Sequence, residues 1–120
     1  MLITCEVNQA LTSQQSAILA MPVRDTLKRV SQAPQIETTV SREQLWQAQT
    51  PQIAQLGVLK SALEQALADN ILITDEASAL EYIHAPVQVV EGRADNIKIT
   101  YPSDLDLARL ILQAQTNQTL

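Results

Sequence analysis

Basic side chains are concentrated in one short stretch of an otherwise acidic chain. The 120 residues carry a formal net charge of −5 at pH 7, but residues 24–42 hold four basic and two acidic side chains, a local balance of +2. The four basic residues are Arg24, Lys28, Arg29 and Arg42. Because the arginine guanidinium donates in pairs to phosphate oxygens, this stretch predicts an anionic ligand such as a phosphate monoester. Ordinary solvated charges on a surface hairpin are the alternative interpretation.

A second group of chemically active residues lies near the C-terminus. Lys98 stands between Ile97 and Ile99, so in a strand it would point away from both isoleucines. From there the lysine either reaches an anion at the end of the sheet or extends to solvent. Asp95 and Asn96 precede it and have the oxygen ligands that a hard cation prefers, although both residue types also form turns.

The composition excludes several classes of function. One Trp, two Tyr and no Phe leave little for base stacking, and the negative charge disfavours nucleic-acid binding. A single Cys5 and a single His84 cannot supply a zinc site built on several such residues. No apolar run is long enough to cross a membrane. The lone thiol is typical of a reducing compartment, so the sequence predicts a cytoplasmic location.

The pattern of apolar residues predicts strands alternating with helices, hence an α/β fold. Residues 16–23 form an apolar run typical of a buried strand, and residues 86–90 and 97–100 are two further predicted strands. Residues 26–30 and 36–40 predict a hairpin joined by a loop at 31–35. About three core strands make an incomplete sheet, and a hairpin with few apolar residues needs another chain to cover it.

Helix signals occupy the remaining segments. Residues 2–9 are a weak helix candidate. Thr50 and Pro51 together predict a helix start, with Thr as the N-cap and Pro at the first helical position. Thr74 is the predicted cap of a later helix whose first turn holds Asp75 and Glu76. A final helix presents an apolar face made of Leu105, Ala108, Ile111 and Leu112.

Four blocks of sequence resemble one enzyme family. They are PVRDTLKR at 22–29, LWQAQTPQ at 45–52, TDEAS at 74–78 and VEGRADNIKIT at 90–100. In this order and spacing they are similar to the C-terminal half of the 2-C-methyl-D-erythritol 4-phosphate cytidylyltransferase family. One block alone is weak evidence, whereas four in order are specific.

The resemblance implies a Rossmann-like nucleotidyltransferase fold and a homodimer interlocked through an extended β-arm at residues 24–42. It also implies transfer of CMP from CTP to methylerythritol phosphate, with Mg²⁺ and release of pyrophosphate. Residues 1–120 would then be the C-terminal portion of the cytidylyltransferase domain, without its N-terminal CTP-binding half. The only glycines, Gly57 and Gly92, form no Gly-rich phosphate loop.

The resemblance also implies roles for individual residues. Arg42, reaching across from the partner's arm, and Lys98 would position the phosphate of the acceptor. Thr26 on the arm would lie near the acceptor, and Thr50 and Thr74 would line the site. Asp95 would lie near the metal.

Two functional hypotheses follow from the resemblance. In the first, the chain is the acceptor-binding and dimerising half of a cytidylyltransferase and is inactive alone. In the second, it is a non-catalytic dimerising module that associates with a full-length enzyme.

Overall fold

A computed structural model describes residues 2–13 and 15–118. The elements, in chain order, are α1 (Leu2–Ser13), β1 (Ser16–Pro22), β2 (Leu27–Val30), β3 (Ile36–Val40), β4 (Trp46–Ile53), α2 (Leu56–Ala68), α3 (Glu76–Tyr82), β5 (Val87–Glu91) and α4 (Pro102–Gln118). Among these described residues, none of the helices combines the length and apolarity needed to span a membrane.

The main sheet has three strands in the order β4-β1-β5. Strand β1 lies at the centre, antiparallel to β4 and parallel to β5, which is why its sequence is almost entirely apolar. Side chains alternate along β1, so Ile18 and Ala20 share one face and pack with Ala77 of α3. The prediction of a buried strand at 16–23 is therefore confirmed.

The helices cover this sheet unequally. Helix α3 is buried through Ala77, Ala79 and Leu80 and packs on α2, β4 and β5, while α1 packs on all three strands of the sheet. In α4 the predicted apolar face stays largely open, since Leu105 and Leu112 are exposed. The described residues therefore concentrate their core between the sheet, α2 and α3.

The predicted hairpin is confirmed. Strands β2 and β3 pair with each other in a separate two-stranded antiparallel sheet, and Ser31 closes the loop by donating its backbone N–H to the Gln35 carbonyl at 2.9 Å. Among the described elements the hairpin makes no extensive contact outside itself, so it projects as an arm. Its apolar residues Val30 and Ile36 are 51% and 65% exposed.

Two predicted elements are wrong. Thr50 and Pro51 do not begin a helix: they lie inside β4, with a cis peptide bond between them. Residues 97–100 are not a strand, because none of the described strands runs beside them to supply a hydrogen-bonding partner. The third strand of the sheet is thus β4, not 97–100.

A third correction concerns the cap of α3. The N-cap is Asp75, not Thr74: the Asp75 carboxylate accepts from the Ser78 backbone N–H at 2.8 Å. The Ser78 hydroxyl oxygen in turn accepts from the Asp75 backbone N–H at 3.1 Å, which completes a reciprocal capping box. Thr74 lies immediately before this cap.

Candidate functional site

A cavity of about 340 Å³ lies between β4, the start of α3 and the segment after β5; we call it the Lys98 cavity. Three of the residues to which the sequence resemblance assigned a role line it together: Thr50, Thr74 and Lys98. The other lining residues are Ala48, Gln49, Gln52, Asp75, Glu76, Asn96 and Ile97. Most of these residues have polar side chains, and they come from segments that are far apart in sequence.

A bulge in β4 shapes one side of the cavity. Ile18 pairs with Gln52 and Ala20 pairs with Ala48, so residues 49–51 of β4 stand opposite Leu19 alone. Extra residues in an edge strand interrupt the ladder and redirect side chains. A proline is tolerated there, because at an edge strand or bulge the absent N–H is not needed for a hydrogen bond of the sheet. Thr50 reaches the cavity from this bulge.

Gln52 connects β4 to the start of α3. Its side-chain N–H group donates to the Asp75 carboxylate at 3.0 Å, and its side-chain oxygen accepts from the Ala77 backbone N–H at 3.1 Å. Burial alone would raise the pKa of Asp75, but the hydrogen bonds from Gln52 and Ser78 outweigh it and leave that pKa below its usual value. Asp75 is therefore held as a carboxylate at the cavity wall.

The segment that carries Lys98 is attached to the bulge by two side chains. Asn96 donates its side-chain N–H to the Thr50 carbonyl at 2.7 Å. Gln49 donates to the carbonyls of Arg93 at 2.9 Å and Asn96 at 3.4 Å. These bonds hold residues 93–96 against β4, next to Ile97 and Lys98 in the cavity wall.

Asp95 does not fit a metal site in this geometry. Both of its carboxylate oxygens accept from the Arg93 guanidinium, at 3.0 and 2.9 Å. This paired hydrogen bond lowers the pKa of Asp95. Across residues 2–13 and 15–118, no group of three or more His, Cys, Asp or Glu side chains is arranged to hold a metal ion. Asp95 acts here as the partner of Arg93.

The two remaining residues to which the resemblance assigned a role lie at the arm, away from the Lys98 cavity. Arg42 follows β3, and its guanidinium donates to the backbone carbonyl of Arg24. Thr26 is exposed and lies between Asp25 and Leu27, which line a second cavity of about 330 Å³ at the base of the arm. Within one protomer, then, the structure does not bring Arg42 and Thr26 to Lys98.

Sequence reasoning missed two of the three glutamines of β4, Gln49 and Gln52. Fifteen glutamines are scattered through the chain, and the pattern suggested solvated faces for all of them. Gln49 and Gln52 instead cross from β4 to other segments. The dipeptide at 50–51 was the only local signal of an irregular strand, and it indicated a helix start equally well.

Comparison with known proteins identifies the family to which the chain is similar. A family profile described as 2-C-methyl-D-erythritol 4-phosphate cytidylyltransferase matches residues 2–114. A protein of that name from Acinetobacter baumannii (strain SDF) is 71% identical over 109 residues, which are 91% of this chain and 46% of that protein. Another from Shewanella amazonensis is 59% identical, with the same two coverages. The chain spans about half the length of the curated relatives it matches.

Solved structures share the fold. A crystal structure of 4-diphosphocytidyl-2C-methyl-D-erythritol synthase is 44% identical with a TM-score of 0.81, over 92% of this chain and 49% of that one. The 2-C-methyl-D-erythritol 4-phosphate cytidylyltransferase of Thermus thermophilus is 31% identical with a TM-score of 0.82, over 92% of this chain and 55% of that one. The predicted α/β nucleotidyltransferase fold is confirmed, and with a profile match over nearly its whole length the chain belongs to the 2-C-methyl-D-erythritol 4-phosphate cytidylyltransferase family.

Proposed function

We propose that this chain is the acceptor-binding and dimerising half of a cytidylyltransferase that transfers CMP from CTP to methylerythritol phosphate. The observation that carries the proposal is the grouping of Thr50, Thr74 and Lys98 around one polar cavity. These residues come from three separate segments, and all three occur in the sequence blocks that are similar to the family.

The chemistry required of such a cavity is mostly positioning. In CMP transfer a phosphate oxygen of the acceptor forms a bond to the α-phosphorus of CTP, while the bond to the departing pyrophosphate breaks. The Lys98 ammonium would neutralise the acceptor phosphate and hold it for attack, and the Thr50 and Thr74 hydroxyls would orient the alcohol chain. No proton has to leave the attacking oxygen, since a phosphate dianion is already a nucleophile.

A homodimer accounts for the position of the arm residues. Arg42 and Thr26 lie outside the Lys98 cavity of their own protomer, and the hairpin between them projects without covering contacts. An arm that crosses to a second copy would deliver Arg42 to the phosphate held by the partner's Lys98. Arginine is suited to this role because its donors engage two phosphate oxygens at once.

Within the described residues, no Gly-rich loop is present to hold the triphosphate. Gly57 lies within α2 and Gly92 follows β5, so neither belongs to a Gly-rich loop that precedes a helix and could cradle phosphates. We therefore expect the purified 120-residue chain to release no pyrophosphate from CTP and methylerythritol phosphate. Release above a no-protein blank would contradict this expectation.

Mg²⁺ is the metal that we propose for the complete reaction, but the described residues do not provide its site. Asp95 is occupied by Arg93, and we assign no step to a metal held by this chain. Cytoplasm, where CTP is available, is the proposed location.

Calorimetric titration with methylerythritol phosphate tests acceptor binding directly. Replacing Lys98 or Arg42 by Ala should weaken binding by about 10- to 100-fold, because each variant loses a charge-assisted phosphate contact. The matched control is Lys60→Ala, which removes an exposed lysine whose ion pair with Glu64 lies within α2. Equal weakening by the control, or undiminished binding by the Lys98 variant, would contradict the proposal.

The exposed arm also supports a second candidate function, that of a dimerising module for a full-length enzyme. In that case the chain would associate with an intact family member through residues 24–42, and acceptor binding would be dispensable. Size-exclusion chromatography and acceptor titration together distinguish the two candidates: the module hypothesis requires a mixed species, lost when Ile36 is replaced by Glu, from a chain that binds no methylerythritol phosphate.

A further inference from the structure

Gln49 occupies an unusual place in the sheet. It lies in the bulge of β4, opposite Leu19 of the central strand, yet it donates hydrogen bonds to the segment that follows β5 on the far side of β1. Its side chain therefore connects β4 to the segment that follows β5. Gln49 also lines both cavities, the Lys98 cavity and the one at the base of the arm.

The close approach of Gly92 shows how tightly this bridge fits. Gly92 donates its backbone N–H to the Ala20 carbonyl at 2.8 Å, which fixes it beside β1. A Cβ atom added at Gly92 would lie 2.1 Å from the side-chain oxygen of Gln49. A side chain at residue 92 would therefore displace the Gln49 amide, and the backbone conformation itself does not call for glycine.

The chemistry of the bridge requires an amide. The side-chain nitrogen of Gln49 has two hydrogens and faces two backbone carbonyls, those of Arg93 and Asn96. The side-chain oxygen is buried and has no hydrogen-bond partner among the described residues. An apolar side chain would leave the two carbonyls without this donor, and a carboxylate would repel them.

We propose that Gln49 is a positioning residue, which holds residues 92–98 against the β4 bulge and thereby sets the position of Lys98 in its cavity. The effect of this on the acceptor rests on the proposed function of that cavity. Asn96 makes the second connection through the Thr50 carbonyl, so the turn before Lys98 is held at both of its ends.

The test compares Gln49→Met with Gln47→Met. Methionine keeps the length of the side chain and removes the donor, and Gln47 is an exposed glutamine on the same strand. Amide hydrogen exchange at residues 93–98 should become about tenfold faster in the Gln49 variant, since the hydrogen bonds to the Arg93 and Asn96 carbonyls are lost. The affinity for methylerythritol phosphate should fall at least about fivefold, while Gln47→Met leaves both quantities unchanged.

A second pair of variants keeps the test decisive if Gln49→Met folds poorly. Gly92→Ala should accelerate exchange in the wild-type background, because its Cβ displaces the Gln49 amide. The same change in a Gln49→Ala background should add little, since the next neighbour, the Leu19 Cβ, lies 3.6 Å away in ordinary contact. If the two substitutions accelerated amide exchange additively, the proposed contact between Gln49 and residues 92–98 would be contradicted.

The outcomes separate this inference from the proposed function. Unchanged exchange at 93–98 in Gln49→Met overturns the positioning role, whatever the chain binds. Faster exchange with undiminished acceptor affinity shows that the bridge does not position Lys98, and also overturns it. If the wild-type chain binds no acceptor, the proposed function fails, and the exchange data alone decide whether Gln49 holds the segment.

Discussion

The wall of the Lys98 cavity and the hairpin arm are both polar, but their side chains serve different ends. At the cavity, Gln49, Gln52 and Asn96 each connect two segments that are distant in sequence. Between residues 27 and 40 of the arm, the side-chain bonds stay within the hairpin, as between Lys28 and Thr39 at 2.6 Å. The cavity wall is therefore fixed by the tertiary fold, whereas the arm keeps its surface for contacts outside the described residues.

Apolar residues show the same contrast. Leu80 beneath the cavity wall is 1% exposed, and Ile36 on the arm is 65% exposed. Burial of an aliphatic side chain contributes about 2 kcal/mol, so only the first of these residues stabilises the chain by itself. The difference implies that the arm contributes little to the stability of the chain, so the two regions can be perturbed one at a time.

Truncation of a core residue should give the largest effect on stability. Leu80→Ala removes a fully buried side chain that packs with Ala62 and Ala79, and we expect a loss of about 2–5 kcal/mol in the free energy of unfolding. The matched change on the arm, Ile36→Ala, should cost less than about 0.5 kcal/mol in the isolated chain. Urea denaturation of both variants measures the contrast, and similar losses would refute it.

The second-largest effect on stability should come from a buried carboxylate in α1. Glu6 is fully buried, and both of its carboxylate oxygens lack a hydrogen-bond partner within residues 2–13 and 15–118. Burial raises the pKa of Glu6 from 4.5 to about 7. Between pH 4.5 and about 7, the Glu6 carboxyl therefore keeps its proton in the folded chain and releases it in the unfolded chain. The contribution of Glu6 to the stability of the fold is complete below pH 4.5 and is lost as the pH rises to about 7.

The expected loss between those two pH values is of the order of 3 kcal/mol. Glu6→Gln should abolish this dependence, whereas Glu37→Gln, which changes an exposed carboxylate on the arm, should leave it intact. Thermal denaturation from pH 4 to 8 decides the matter. A wild-type stability that rises over this range would show that Glu6 is ionised in the folded chain.

The same contrast explains what the sequence could predict. The arm was predictable because the alternation of Ile36, Thr38 and Val40 is a local pattern. The buried strand β1 was equally clear from its apolar run. The dipeptide Thr50–Pro51 misled because a helix start and a bulged edge strand accept the same residues.

The cavity wall was only partly predictable for a related reason. Thr50, Thr74 and Lys98 were identified by a resemblance, not by their own patterns. The roles of Gln49 and Gln52 depend on the register between β1 and β4, where residues 49–51 face Leu19. Such a register is set by tertiary packing, and a scattered glutamine has no signature that reveals it.

Removal of the α3 cap should have a smaller effect on stability than either Leu80→Ala or the ionisation of Glu6. Asp75→Ala loses the bonds to Ser78 and Gln52, and we expect a cost of about 1–2 kcal/mol. Because the pKa of Asp75 is lowered, its contribution is present above the unfolded pKa and is lost as pH falls through the folded value. The control is Glu76→Gln, next in sequence and exposed. If acid lowered the stability of the Asp75→Ala variant as much as that of the unchanged chain, the assignment of this pH dependence to Asp75 would be contradicted.

The smallest expected effect distinguishes two ion pairs. Arg93 engages both oxygens of Asp95, whose side chain is 29% exposed, whereas Arg109 and Asp106 on α4 share one contact and are 68% and 77% exposed. Double-mutant cycles should give a coupling of up to about 1 kcal/mol for the first pair and close to zero for the second.

If Asp95 instead serves a metal, Arg93→Gln should strengthen Mn²⁺ binding and Asp95→Asn should abolish it. A pair that only shapes the turn before Lys98 predicts no Mn²⁺ binding by any of these variants, because the described residues form no group of three or more His, Cys, Asp or Glu side chains that could hold a metal ion.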